Sequence, residues 1–236
     1  MLTFPANSTT SASNLDAYRP SVVAGEGEAG AAREPALGQR RSQEDRSREA
    51  RERLLAAAID VLIRKGYGGL TTKEVASCAQ MSNGALMHHF ASKEELLVAA
   101  TAAVYQAAAV RGQKRANTAE AAKAPIEGFV TDCLSIYFDW PFTAALEVVM
   151  VARTDPALMA RLLPVMQEYR QTVNGIWLKT FVEAGMRPER AETVLNLTLN
   201  LIRGMAVNSL WGRDDKLYER QLEEWIALMY ATLSRD

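Results

Sequence analysis

Only two histidines occur in the chain, side by side at positions 88 and 89 within MSNGALMHHFASK, residues 81–93. An imidazole can ligate a metal, act as a general base or donate to a phosphate oxygen, and spacing separates these chemistries. Successive helical residues point about 100° apart, so His88 and His89 on a helix cannot hold one metal ion, which needs i, i+4 placement. No third ligand cluster accompanies them. Cys78 and Cys133 are the only cysteines, and their separation gives neither a chelating motif nor a disulfide framework. The chain also lacks G-x-S-x-G, a Walker loop, G-x-G-x-x-G after a strand and H-E-x-x-H. These residues predict no metal, no cofactor and no catalytic centre. Contact with a phosphate oxygen and simple packing both stay open for the pair, packing above all for His89 just before Phe90.

Charge limits what such a contact can look like. Lys plus Arg number 27 against 28 for Asp plus Glu, a net charge of −1, so a nucleic-acid surface must be a local patch rather than a global field. Hydrophobic residues make up 48% of the 236, enough for a sizeable core. No apolar run approaches the roughly 18 residues that would span a bilayer. Reduced thiols, no membrane partner and a cytoplasmic location are expected.

The elements that must position the histidines are short helices. Residues 1–44, rich in Ala, Gly, Ser, Thr, Glu and Pro, show no period and read as a disordered tail. The tail ends in RRSQEDRSREARER, where Arg40, Arg41, Arg46, Arg48, Arg51 and Arg53 alternate with acids. That run suits either a solvated helix start or a basic arm on a phosphate backbone. From Arg48, Leu54, Leu55, Ala58, Ile59, Leu62 and Ile63 share one helical face, and Gly66 after Lys65 is a natural C-terminal cap. Thr71 with Glu74 makes a capping box for a second helix of about two turns, Ser82 caps a third over Asn83 to about Phe90, and Ser92 with Glu95 opens a fourth. Packed on the long helix, the short pair forms a helix-turn-helix unit over residues 45–92, whose second short helix enters a major groove.

The outward chemistry suits DNA. Thr71, Thr72, Ser82, Lys93 and the free N–H groups at helix starts are phosphate donors. In the first turn of the third helix, Gly84 and Ala85 lack bulk; Ala85 suits a thymine methyl and Asn83 an adenine edge. The run SNGALMHHFASKEEL, with RERLLAAAIDVLIRKGYGGLTTKEVA before it, resembles the signature of the TetR family of bacterial transcriptional regulators over about 50 residues back to Arg48. The resemblance implies that Thr72, Ser82, His88, His89 and Lys93 contact mainly phosphate while Asn83, Gly84 and Ala85 face bases. Two positions depart from the family pattern. Met87 stands where Tyr is frequent and lacks its hydroxyl, and Gln80 stands where Gly is usual, at a cost of about 1 kcal/mol if left-handed.

Residues 93–236 are helical in period, with turn signals at Pro125, Trp140-Pro141, Asp155-Pro156, Gly185 to Pro188 and Gly212 to Asp215. An all-α fold follows, a three-helix DNA-binding domain before a larger helical domain. The resemblance implies that this larger domain holds a small-molecule inducer and forms a homodimer on a palindromic operator, as a repressor. Met166, Tyr169, Val173 and Trp177 lie on one helical face and, with Met150, Arg153, Asn200 and Arg203, are the candidate ligand residues; plain core is the alternative for the apolar ones. Arg203 in reach of a cavity favours an anionic or carbonyl-bearing ligand, Arg153 is equally eligible, and a structural ion pair is the alternative for both. Asn196, Asn200, Arg203 and Asn208 form a polar stripe on an apolar helix that lines a cavity, meets its own copy or flanks solvent. Asn208, Trp211, Leu222, Trp225 and Met229 are the candidate dimer residues, in a four-helix bundle across a two-fold axis. The competing classes are a helical ligand-binding or scaffold protein with a degenerate DNA-binding unit, and a helical enzyme.

Overall fold

The computed structural model describes Phe4 and residues 43–233, and no strand occurs among the described residues. The chain forms α1 (Gln43–Gly69), α2 (Thr72–Cys78), α3 (Asn83–His89), α4 (Lys93–Ala116), α5 (Ala119–Lys123), α6 (Pro125–Tyr137), α7 (Trp140–Ala152), α8 (Pro156–Glu183), α9 (Pro188–Asn208) and α10 (Asp215–Leu233). It divides into two compact units, one ending at Val104 and one from Tyr105 onward that includes Phe4.

In the first unit α1 buries Leu54, Leu55, Ala58, Ile59 and Leu62, together with Ala57 and Val61, while Ile63 is only half-buried. Each large aliphatic buried this way contributes about 1.5–3 kcal/mol. The break expected after Lys65 is present: Gly66 has φ 64° and ψ −174°, a conformation essentially reserved for glycine, and one further turn reaches Gly69. Thr71 Oγ1 accepts from the Glu74 N–H at 3.1 Å, as the capping box requires. The Glu74 carboxylate does something else, pairing with Lys65 Nζ at 2.6 Å, so α2 is tied to the end of α1.

Of the tail expected over residues 1–44, Gln43 and Glu44 instead open α1 and Phe4 is half-buried against the helical unit; the remainder lies outside the described residues. Two arginines of the alternating run also have specific work. Arg53 Nη2 donates to the Ala79 carbonyl at 2.7 Å, and Arg51 lies 4.5 Å from the centroid of the Phe90 ring.

The second unit is built around Phe129 and Leu134 of α6, Trp177 and Phe181 of α8, Leu195 and Ile202 of α9, and Leu222 of α10, all at most 1% exposed. Pro125, Pro156 and Pro188 occupy first helical turns, where a missing N–H costs nothing. Asp155 Oδ1 caps α8 from the Leu158 N–H at 3.0 Å. The short α5, capped by Thr118, is an element the periodicity did not reveal. No single described helix is long and apolar enough to cross a membrane; α6 and α7 are apolar together but bent by 63°, and α6 is the element most buried in the core.

Candidate nucleic-acid interface and regulatory site

The turn between α2 and α3 is closed by two backbone bonds, Gln80 N–H to Ser77 O at 3.0 Å and Met81 N–H to Ala76 O at 2.9 Å. This is a Schellman cap, and Gln80 occupies its left-handed position with φ 56°. Arg53 fastens the preceding carbonyl, that of Ala79, to α1. Ser82 then starts α3, its Oγ accepting from the Ala85 N–H at 3.1 Å.

Leu86 and Phe90, both 0% exposed, anchor α3 inward, which turns Asn83, Gly84, Met87 and His88 outward. A Cβ built on Gly84 meets nothing closer than Ser82 Oγ at 3.8 Å. No internal contact therefore requires glycine there, and a requirement for it has to come from something approaching α3 from outside. Ala85 is half-buried beside it. The His88 and His89 rings lie 5.5 Å apart at 54°, and His89 is the more enclosed, its pKa lowered by burial first and then by the His88 and Arg51 charges.

Around α3 the expected phosphate donors sit at helix starts. Thr71 and Ser82 spend their lone pairs on caps and keep their O–H donors, and Thr72 is half-buried at the head of α2. Lys93, first residue of α4, is more constrained than a free surface lysine. Its ammonium donates to Tyr67 O at 3.2 Å and stands 3.8 Å from the Tyr67 ring centroid, and burial lowers its pKa. One of three donors is thus engaged and the charge is held in a fixed place.

In the second unit a polar and aromatic cluster forms inside the helices. Tyr105 of α4 stacks on Tyr169 of α8 at 4.5 Å and 15°. Arg203 of α9 donates to the Tyr137 hydroxyl at 2.8 Å and lies 5.1 Å from that ring's centroid. Burial pushes the Tyr137 hydroxyl up to about 12 against the opposing pull of Arg203, and raises Tyr169 as well. Asp132, 2% exposed, accepts from Trp177 Nε1 at 2.9 Å and faces Arg115 at 3.7 Å; burial raises its pKa, while the indole bond and Arg115 lower it.

Of the expected ligand residues, Tyr169 and Arg203 meet in this cluster. Val173 is buried in the core, Met166 is half-buried on α8, and four others lie outside the cluster. Trp177 is fully buried with its N–H committed to Asp132, a structural post. Met150, 55% exposed, and Arg153 lie at the outer end of α7. Asn200 is exposed and faces, with Gly204 and Asn208, a groove of about 910 Å³ between α9 and α10. Tyr105, Tyr137 and Asp132 are cluster members that sequence reasoning missed. Asp132 carried a signal, a lone carboxylate in the apolar run FVTDCL.

The α9–α10 groove also gathers Leu217, Trp225 and Leu228, and Trp211 beyond it is 74% exposed. Leu222 and Met229 do not belong to this face. They are 0% and 9% exposed and belong to the core of the helical unit, because the stripe of α10 along the groove runs through Leu217, Gln221, Glu224, Trp225 and Leu228 instead. A second open groove of about 740 Å³ lies between the end of α4, α5 and α8.

The profile of bacterial regulatory proteins of the TetR family matches residues 54–100, from the middle of α1 into the first turns of α4. The HTH-type transcriptional regulator CymR of Pseudomonas putida is 34% identical over 181 residues, covering 77% of this chain and 89% of that protein. The chain belongs to the TetR family. It is a DNA-binding transcriptional regulator with an all-α fold. The uncharacterized HTH-type transcriptional regulator YvkB of Bacillus subtilis is 25% identical over 203 residues, covering 80% of this chain and the whole of that one. A transcriptional regulator from Saccharomonospora viridis, solved in complex with choline, shares the fold with a TM-score of 0.62 at 22% identity, covering 76% of this chain and 96% of that one.

Proposed function

We propose that the protein is a cytoplasmic homodimeric repressor that occupies a palindromic operator and leaves it when a small molecule enters the helical unit. The observation that carries this reading is α3, anchored by Leu86 and Phe90 with Gly84 open to approach from outside. Residues 45–92 then read DNA: Asn83, Gly84 and Ala85 face bases, while Thr71, Thr72, Ser82, His88, His89 and Lys93 hold phosphates and Met87 packs on the backbone. One such helix contacts too few base pairs for useful specificity, so two are needed, about 34–36 Å apart on half-sites one turn apart.

Residues 93–236 supply the dimer and the inducer site. The apolar groove with Trp225, Leu228 and the half-covered Leu201, beside exposed Trp211, supports a self-complementary face on α9 and α10. The Arg203–Tyr137 pair and the Tyr105–Tyr169 stack support a ligand with a carboxylate or carbonyl group and a flat apolar body. A regulator of the same fold holds choline, which supports a small molecule as the signal. Inducer and operator then oppose each other by linkage. No catalytic role is assigned to the chain, whose related proteins are transcriptional regulators.

Selection of bound sequences from a random duplex pool at moderate salt tests this reading. Enrichment of an inverted repeat is expected. A single unrepeated half-site breaks the dimer part, and no enrichment by folded protein breaks the reader assignment itself.

A further inference from the structure

Phe4 is described together with the helical unit, far in sequence from everything it touches. Its ring meets Phe138 edge to face, centroids 4.9 Å apart at 80°, and lies 6.2 Å from the Tyr218 ring. Phe138 and Tyr218 themselves meet edge to face at 5.7 Å, so the three rings form a closed aromatic set. The Phe138–Tyr218 pair is held by bonds that do not involve Phe4. Arg213 stands 5.6 Å from the Phe138 centroid while its guanidinium grips Asp215 at 2.6 and 3.2 Å. The Tyr218 hydroxyl donates to the Gly212 carbonyl at 3.4 Å.

We infer that the Phe138–Tyr218 ring pair is a docking site for the chain's own N-terminal segment, with Phe4 as its anchor. The composition of that segment, mostly Ala, Gly, Ser, Thr and Glu, offers few other side chains able to hold a folded surface, so one aromatic ring has a large share of the attachment. The site joins the α6–α7 turn to the first turn of α10. Phe138 follows Tyr137, which takes the Arg203 bond, and Tyr218 borders the α9–α10 groove. Docking therefore braces a junction between the aromatic cluster and the outer face of α10, and it stands whether or not either takes part in regulation.

The test places the photoreactive residue benzoylphenylalanine at position 4 of the full chain, irradiates, digests and reads the cross-links by mass spectrometry. Cross-links within one chain to peptides holding Phe138 or Tyr218 are expected. Cross-links elsewhere, or to a second copy of the chain, overturn the intramolecular site. Should the larger side chain fail to seat on the ring pair and give no cross-link, Phe4→Ala decides. A melting midpoint lowered by about 2–4 °C, followed by tryptophan fluorescence, supports the anchor, and an unchanged midpoint overturns it.

Discussion

The two units of this regulator are held together over different distances along the chain. In the first, caps link residues three apart, as in Thr71–Glu74, Ser82–Ala85 and Ser92–Glu95, and the long-range ties of Arg53 to Ala79 and Lys93 to Tyr67 span 26 residues. In the second, the polar bonds that organise the core join Trp177 to Asp132, Arg203 to Tyr137 and Tyr230 to Glu127, across 45, 66 and 103 residues. A reader of DNA needs one outward helix at a fixed angle, and local caps with a few anchors supply that. A sensor needs side chains from several helices around one volume, which only long-range packing supplies.

The largest expected effect breaks the long-range side of this contrast. Asp132→Ala leaves the Trp177 indole N–H without its acceptor in the core, and should destabilise the helical unit by about 3 kcal/mol. Asp132→Asn keeps an acceptor oxygen without a buried charge, so its loss should stay under about 1 kcal/mol. All four tryptophans lie at or beyond Trp140, so denaturation followed by their fluorescence reports the second unit alone. Equal losses for the two variants would show that the carboxylate charge, facing Arg115, matters more than the indole bond.

The reader should respond to substitution in its DNA preference and keep its fold. Asn83→Ala, at an exposed first-turn position, is expected to cost about 2 kcal/mol at one or two operator base pairs and nothing at the others. A uniform loss across all sequences would reassign Asn83 to the backbone. Lys93→Ala should instead weaken every sequence alike and reduce the salt slope of log K by about 1. An unchanged slope would mean that the ammonium serves only Tyr67.

What could be read from the sequence follows the same division. Thr71, Ser82 and Ser92 are caps whose partners lie three residues on, and Gly66 and Gln80 mark turns through their own backbone, so the turns of the first unit were legible in the sequence while the ends of α1 and the Glu74–Lys65 pair were not. Turn signals such as Pro125, Pro156 and Gly185 located the helices of the second unit apart from α5, yet periodicity could not show which side of α10 faces the core. Leu222 and Leu228 are equally apolar in sequence, and only the packing against α6 and α9 buries one and exposes the other at 56%. Tyr105 and Tyr137 gave no sign at all, since an aromatic on a helix declares neither its partner nor its depth.

The contrast sharpens at two turns of the same kind. Gln80 ends α2 and Gly185 ends α8 in Schellman caps, Gly185 with φ 96° and bonds from Gly185 N–H to Val182 O and from Met186 N–H to Phe181 O. Gln80→Gly should stabilise the first unit by roughly 0.5–1 kcal/mol, the left-handed strain less the added freedom of the unfolded chain. Hydrogen exchange of α2 and α3 amides measures it. A Cβ at Gly185 meets nothing within 4 Å, so any loss on Gly185→Ala is backbone strain alone. No change in exchange on Gln80→Gly would mean that Gln80 has a compensating contact.

The smallest effect concerns His89. Burial, followed by the His88 and Arg51 charges, lowers the pKa of His89. In the unfolded chain its imidazole takes up a proton near 6.5, while in the folded protein it resists until lower pH. The stability it contributes is therefore present above the unfolded value and lost as pH falls through 6.5 towards the folded one. A phosphate on His89 reverses the sign, because the bound anion favours imidazolium. Operator affinity should then rise as pH falls between about 7.5 and 5.5, by less than one proton's worth per pH unit, and His89→Gln should remove part of that slope. If the slope is the same in His89→Gln, His89 belongs with Phe90 and Leu86 among the residues that hold α3, and none of the proton uptake is its own.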